Sequence, residues 1–315
     1  MIDKMENIVQ IALVSNKNYF WGLSVTAYSI AVHASRDIGL SFHILSDDLV
    51  EEDCSFLKKR LQTVHSNTTL QLHKLDLSHF EGLPMLHGNY LTYTRLLLPD
   101  ILKDCDHVVY CDVDFLWRTD IKNLWGSVSE NTILHGVKDY YEGISFEQKW
   151  FEKKGLKFNS ASYICAGFLL CNLKQMRAEN SVQRIKDFLQ QHPDIQLHDQ
   201  TTVNACFVNR IKLLDSKWMK FTFEPHTWSL KEENVLHFGG EAPWKYPKRG
   251  YYEPSYWDAC WCWHTYSGEL YGISALQSMR KLHSFRKICV FWILAKLLKF
   301  SFMRKMGKLF YRKNS

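Results

Sequence analysis

The sequence predicts an α/β fold, a sheet with helices on both faces, followed by a basic C-terminal segment. Three observations carry this. Short apolar runs alternate with helix-spaced stretches through the first 117 residues. Two aspartates interrupt the end of the fourth run, "HVVYCDVDFLW" (107–117). The acidic residues stop before residue 280, while the basic ones continue to the end.

Taken in order, "IVQIALVS" (8–15) is strand-like, and "YFWGLSVTAYSIAVHAS" (19–35) spaces its large residues as a helix does. "LSFHILSD" (40–47) is again a strand. "DDLVEEDCSFLKKRLQTV" (47–64) starts acidic and ends basic, as the helix dipole favours. "TTLQLHKLD" (68–76) alternates as a strand, and "YLTYTRLLLPDILKD" (90–104) reads as a helix broken at Pro99. Strands alternating with helices imply parallel βαβ units. Ligands on such sheets bind at the carboxyl ends of the strands, and Asp112 and Asp114 lie at one.

Beyond residue 120 the order loosens. "SYICAGFLLCNL" (162–173) predicts a buried strand, and "KQMRAENSVQRIKDFLQQH" (174–192) a single helix stopped by Pro193. "DQTTVNACFV" (199–208) predicts a short helix, and "IKLLD" (211–215) and "NVLHF" (234–238) short strands. "GGEAPWKYPKRG" (239–250) is a Gly/Pro-rich loop. "YYEPSYWDACWCWHTYSGELYG" (251–272) is dense in aromatics and reads either as a wall for a sugar acceptor or as a packed structural segment. The boundary falls near residue 275, giving a catalytic unit over 1–275 and a basic tail over 276–315.

Composition bounds the function. With 315 residues, 46% hydrophobic and 23% charged, the chain buries a sizeable core. The net charge of +6 is uneven: the last 36 residues hold 11 Lys+Arg and no carboxylate, and the first 279 hold 28 basic against 33 acidic groups. A mildly acidic body argues against nucleic acid as partner. The nine cysteines include no Cys-x-x-Cys pair and read as reduced thiols. The opening "MIDKMENIVQIALVS" has early acidic residues and no cleavage-site pattern, so a cytoplasmic location is expected.

The paired aspartates carry the chemistry. Residues two apart in an extended chain share a face, so Asp112 and Asp114 repel unless a cation lies between them. Hard oxygen ligands suit Mg²⁺ or Mn²⁺. His237 of "VLHFGG" ends another apolar run. If it joins the two aspartates, its imidazole favours Mn²⁺. Gly239 and Gly240 after it would let backbone N–H groups approach phosphate.

These stretches together resemble a known family. "LTYTRLLLPDILKDCDHVVYCDVDFLW", "AGFLLCNLKQMR", "HDQTTVN" and "HFGGEAPW" resemble, in order and spacing, the signature of glycosyltransferase family 8, the group of glycogenin and the bacterial lipopolysaccharide galactosyl- and glucosyltransferases. The resemblance spans roughly residues 8 to 245. It implies a GT-A type, Rossmann-like fold and a retaining, metal-dependent transfer of galactose or glucose from a UDP-sugar to a glycan or lipid-linked oligosaccharide. It implies Asp112, Asp114 and His237 as metal ligands, with Val113 between them at the nucleotide site. Asn16, Asn18 and Tyr19 match the uridine site, Arg95, Gly240 and Lys245 the donor and its diphosphate, and Asp139 a sugar contact. Asp199 and Gln200 match the pair beneath the anomeric carbon.

The chain departs from the family pattern at three places. Asn16 stands where Asp is usual, and Cys165 where Asn is frequent. The loop after His237 is one residue shorter, with Lys245 after the Trp rather than before Pro-Trp. Two other classes remain. A nucleotidyltransferase also uses paired aspartates, but "NKNYFWG" after the first strand is not a Gly-rich phosphate loop. A non-catalytic relative that kept the fold is the other.

The tail, "RKLHSFRKICVFWILAKLLKFSFMRKMGKLFYRKNS" (280–315), has an apolar run of eight residues, against about 20 for a transmembrane helix. Its Lys, Arg, Phe, Trp and Leu predict a helix lying on an anionic membrane surface, placing the protein peripherally on the inner face of the plasma membrane.

Overall fold

The computed structural model describes residues 7–86, 88–129, 132–222, 233–239, 242–245 and 254–282, with five further positions up to 293. Gly240 and nearly all of the tail beyond residue 282 lie outside the described residues.

The first half follows the expected alternation. β1 (Ile8–Val14), α1 (Phe20–His33), β2 (Gly39–Ser46), α2 (Glu51–Val64) and β3 (Thr68–Lys74) come in order. α2 starts on Glu51, Glu52 and Asp53, and the Asp53 carboxylate accepts the Val50 N–H at 3.1 Å, closing the first turn. Residues 91–97 form a 3₁₀ helix, and α3 is only Leu98–Ile101. The predicted long helix therefore does not form. Pro99 sits in the first turn of α3, where its missing N–H costs nothing.

β4 (His107–Cys111) and β5 (Phe115–Leu116) flank the two aspartates, and α4 (Lys122–Trp125) follows. β6 (Leu134–Lys138) and α5 (Tyr141–Lys154) were not predicted. β7 (Ile164–Asn172) is the buried strand expected. The helix predicted over 174–192 is two helices, α6 (Leu173–Ala178) and α7 (Ser181–Gln191). Asn180 between them takes φ 50°, the left-handed region that Asn tolerates better than most residues. α8 (His198–Cys206), β8 (Ile211–Leu213), β9 (Lys220–Phe221) and β10 (Leu236–His237) lead to α9 (Pro254–Tyr271) and α10 (Ala275–Arg280).

Seven strands form one sheet in the order β3-β2-β1-β4-β7-β6-β8. β1, β2, β3 and β4 are parallel, but β7 runs antiparallel to both β4 and β6. The sheet is therefore mixed, not wholly parallel. Alternate strand residues feed two cores. Val9, Ile11 and Leu13 join one with α1, α2 and α9, while Ala12, Val108 and Tyr110 join the other with α6, α7 and α8.

This topology gathers one edge of the sheet. The carboxyl ends of β1, β4 and β6 and the amino end of the antiparallel β7 all meet there. A second sheet, β5-β10-β9, closes the same edge, pairing His237 with Phe115 and with Phe221.

The aromatic stretch resolves as α9. Tyr256, Trp257 and Trp263 are buried in the core shared with α1 and are structural there, while Trp261 on the same helix is exposed. Trp21 Nε1 donates to Ser267 Oγ at 2.8 Å, and Ser278 Oγ of α10 donates to the same oxygen at 3.0 Å.

Candidate active site

A cavity of about 610 Å³ opens at the gathered strand ends. Asn16, Tyr19, Arg95, Asp112, Val113, Asp114, Asp139, Asp199, Gln200, His237 and Lys245, all expected from the sequence, line it. Asn18 does not; it is exposed in the 3₁₀ turn Lys17–Tyr19.

Asp112 begins where β4 ends, and its N–H donates to Gly167 O at 2.9 Å across to β7. Its Oδ1 accepts from Tyr110 Oη at 2.6 Å and from Arg95 Nη2 at 2.7 Å. Thr26 Oγ1 of α1 lies 2.8 Å from both Val113 O and Phe115 O, donating to the loop between the aspartates. Phe238 N–H donates to Asp114 O at 3.0 Å, so the small sheet brings His237 beside Asp114. His237 Nε2 lies 3.3 Å from Asp114 Oδ1.

One potential ligand atom from each of Asp112, Asp114 and His237 lies within 4.8 Å of the others. Burial pushes the Asp112 carboxyl up from its ordinary value; Arg95 pulls it back and Asp114 adds to the rise. Burial alone would push the His237 imidazole down, but Asp114, with Asp112 and Asp139 behind it, raises it.

Gly167 shows that the space is kept. A Cβ there would stand 2.8 Å from Asp112 Oδ2 and 3.2 Å from His237 Cε1. His237 is stacked on Phe115, centroids 4.2 Å apart, and its Nδ1 is buried with no hydrogen-bond partner among the described residues. Two carboxylates, an imidazole and a cleared cradle fit a divalent cation of the Mn²⁺ or Mg²⁺ type. Gly167 was not singled out in the sequence; only the β4–β7 register places it beside Asp112.

Arg95 lines the cavity as expected, but its guanidinium is engaged. Nε lies 3.0 Å from Asp199 Oδ2, Nη1 donates to Ala166 O at 2.6 Å, and the group stacks 4.5 Å from the Tyr110 ring. Asp199, in the first turn of α8, also accepts from Thr92 Oγ1. Gln200 Oε1 accepts the Ala166 N–H at 3.1 Å, and its Nε2 donates to Asp139 Oδ2 at 2.9 Å.

At the other end of the cavity the Asn16 Oδ1 is buried without a partner among the described residues. Lys245 Nζ donates to Tyr19 Oη at 2.6 Å. Trp244 beside it packs on Gly22 of α1, where a Cβ would stand 2.6 Å from its Cζ2 atom. Cys165 lies in the cavity wall, and the Gly167 N–H donates to its Sγ at 3.4 Å.

The sequence model of the family described as "Glycosyl transferase family 8" matches residues 10–247. General stress protein A of Bacillus subtilis is 24% identical over 276 residues, covering 79% of this chain and 93% of that protein. Lipopolysaccharide 1,3-galactosyltransferase of Salmonella typhimurium is 27% identical over 220 residues, covering 66% of this chain and 62% of that protein. The crystal structure of the galactosyltransferase LgtC in complex with donor and acceptor sugar analogs superposes with a TM-score of 0.67 at 23% identity, covering 84% of this chain and 96% of that one. Mouse xyloside xylosyltransferase 1 superposes with a TM-score of 0.56 at 13% identity, over 75% of this chain. The mixed sheet with its cavity at the strand ends is thus a GT-A type fold, and the chain, matched over most of its length, belongs to glycosyl transferase family 8.

Proposed function

We propose that this glycosyltransferase moves galactose or glucose from a UDP-sugar to a glycan acceptor, with retention at the anomeric carbon and with a divalent metal, Mn²⁺ or Mg²⁺. The observation that carries the reading is that three groups of residues line one cavity: Asn16 and Tyr19, then Asp112, Asp114 and His237, then Asp139, Asp199 and Gln200. A base, a diphosphate and a sugar need such a set.

In this reading the Asn16 amide hydrogen-bonds uracil and Tyr19 stacks on it. Asp112, Asp114 and His237 would hold the metal, which when bound supplies Lewis-acid charge for the leaving diphosphate. Lys245 adds positive charge at the same end once it leaves the Tyr19 hydroxyl. Arg95 holds Asp112 and Asp199 in place, since its charge is already met by both.

The carboxylates also bear on the route. Asp199 is tied to Arg95 and Thr92, Asp139 accepts from Gln200, and the Gln200 amide is used at both ends. Each is better placed to hold sugar hydroxyls than to attack carbon. This supports same-face attack: the acceptor oxygen bonds the anomeric carbon as the bond to diphosphate breaks, and the acceptor's proton passes to the leaving phosphate oxygen.

The name of the Salmonella relative supports a lipopolysaccharide-type acceptor. No described helix is long and apolar enough to cross a membrane. The 11 basic residues from Arg280 onward support docking on an anionic leaflet, where a lipid-linked acceptor would be found. A panel of UDP-sugars, assayed for UDP release with Mn²⁺ and with chelator, tests the reading. UDP-galactose or UDP-glucose should be hydrolysed fastest, and only with metal. Equal rates in chelator, or no turnover of any UDP-sugar, would overturn it.

A further inference from the structure

Behind the Asp139 carboxylate runs a buried line of polar groups. Tyr163, next to the start of β7, accepts the Asp139 N–H on its own backbone carbonyl at 3.1 Å. Its hydroxyl donates to Glu147 Oε2 at 3.1 Å and lies 3.4 Å from Gln200 Nε2. That amide nitrogen is the one that donates to Asp139 Oδ2. Glu147, on α5, has no exposed surface, and Tyr163 is 2% exposed.

The direction of each bond follows from the donor inventory. A tyrosine hydroxyl has one hydrogen, and Glu147, as a carboxylate, takes it. The oxygen then offers its lone pair to Gln200, whose amide nitrogen has two hydrogens, one for Tyr163 and one for Asp139. Gln200 Oε1 is held by the Ala166 N–H. The amide thus has one orientation, and its nitrogen faces Asp139. Burial pushes the Glu147 carboxyl up from its ordinary value, and hydrogen bonds from Thr201 and from Tyr163 pull it back, so the buried carboxylate is held from α8 as well as by the tyrosine.

A second feature of α5 points to the same atom. Gly143 lies four residues before Glu147, on the same helix face. A Cβ at Gly143 would stand 2.7 Å from Asp139 Oδ2. α5 therefore anchors the line at Glu147 and clears the space beside its far end at Gly143.

We propose that Tyr163 and Glu147 are positioning residues for Asp139, acting through Gln200, and that they set how the cavity receives the sugar of the donor. This rests on the UDP-sugar reading above. Neither residue lines the cavity; their effect passes through the Gln200 amide.

The test separates sugar from nucleotide. Tyr163→Phe keeps the ring and removes the hydroxyl. It should lower kcat for UDP-sugar hydrolysis roughly 10-fold, the size of one lost hydrogen bond. Competitive inhibition by UDP, which lacks the sugar, should stay within about twofold of the wild type. Glu147→Gln keeps an acceptor for Tyr163 and should retain activity within about threefold; Glu147→Met should reproduce Tyr163→Phe. A purely structural role would lower the Tm while leaving turnover per folded molecule unchanged, and that result overturns the proposal. So does full activity in Tyr163→Phe, which stands as the test if Glu147→Met does not fold. If the wild type turns over no UDP-sugar, the donor reading fails first and this inference falls with it.

Discussion

Arg95 Nη2 lies 2.7 Å from Asp112 Oδ1, and the same guanidinium reaches Asp199 Oδ2 at 3.0 Å. One buried cation thus ties the end of β4 to the first turn of α8. Arg95→Met would leave two carboxylates without it. Removing one partner of a buried pair costs roughly 3–5 kcal/mol, so denaturant unfolding should show a loss of about 3 kcal/mol, given that Asp112 is partly exposed. Arg95→Lys, a point donor, should hold one carboxylate and recover part of that stability.

Gly167→Ala tests the cradle. Its Cβ would stand 2.8 Å from Asp112 Oδ2, so the carboxylate must shift. Mn²⁺ affinity, measured by calorimetry on the folded variant, should fall at least about 10-fold, with a Tm near that of the wild type. Unchanged Mn²⁺ binding would remove Gly167 from the site.

The difference between what was legible and what was not has physical causes. β1, β2, β4 and β7 announce themselves as apolar runs and β3 by its alternation; Asp112 and Asp114 follow β4, and His237 ends the short apolar run that forms β10. β6, "LHGVK", is short and carries His and Gly, so neither period nor propensity marks it. The antiparallel course of β7 depends on pairing between residues far apart in sequence, and so does the approach of Gly167 to Asp112. The break at Asn180 depends on one residue entering the left-handed region, which helix periodicity on either side hides. Arg95 was expected to face the donor; its two carboxylate partners come from β4 and α8, and only the fold brings them to it. The aromatics of 251–272 do not show by composition whether they face a ligand or α1.

His237→Ala should weaken Mn²⁺ and UDP together, because in the proposed site the metal links protein to diphosphate. The readout is the rise in Tm on adding UDP, with and without Mn²⁺. The wild type should gain more from the pair than from UDP alone, and the variant should lose most of that gain. An unchanged gain would leave His237 a core histidine stacked on Phe115.

Deleting residues 290–315 removes seven basic residues and keeps Met279, Leu282 and Ile288, which are buried or pack on the described core. The full chain should sediment with anionic liposomes at low salt, and the truncated chain should not. Each Lys or Arg near such a surface contributes about 1 kcal/mol, screened within a Debye length, so high salt should release the full chain in part. Metal-dependent UDP-sugar hydrolysis should survive the deletion. A full chain that stays in the supernatant at low salt would end the membrane reading.

In the proposed site Asp112, Asp114 and His237 hold a metal that makes this cavity a UDP-sugar transferase site. The most direct measurement is UDP release from UDP-galactose and UDP-glucose by the wild type and by Asp114→Asn, each with Mn²⁺ and with chelator. The wild type should be active only with Mn²⁺. Asp114→Asn should fold and lose at least ~10²-fold in rate, the usual size of one electrostatic contributor to a transition state. A folded Asp114→Asn with near-normal turnover, or a wild type indifferent to chelator, would contradict the account.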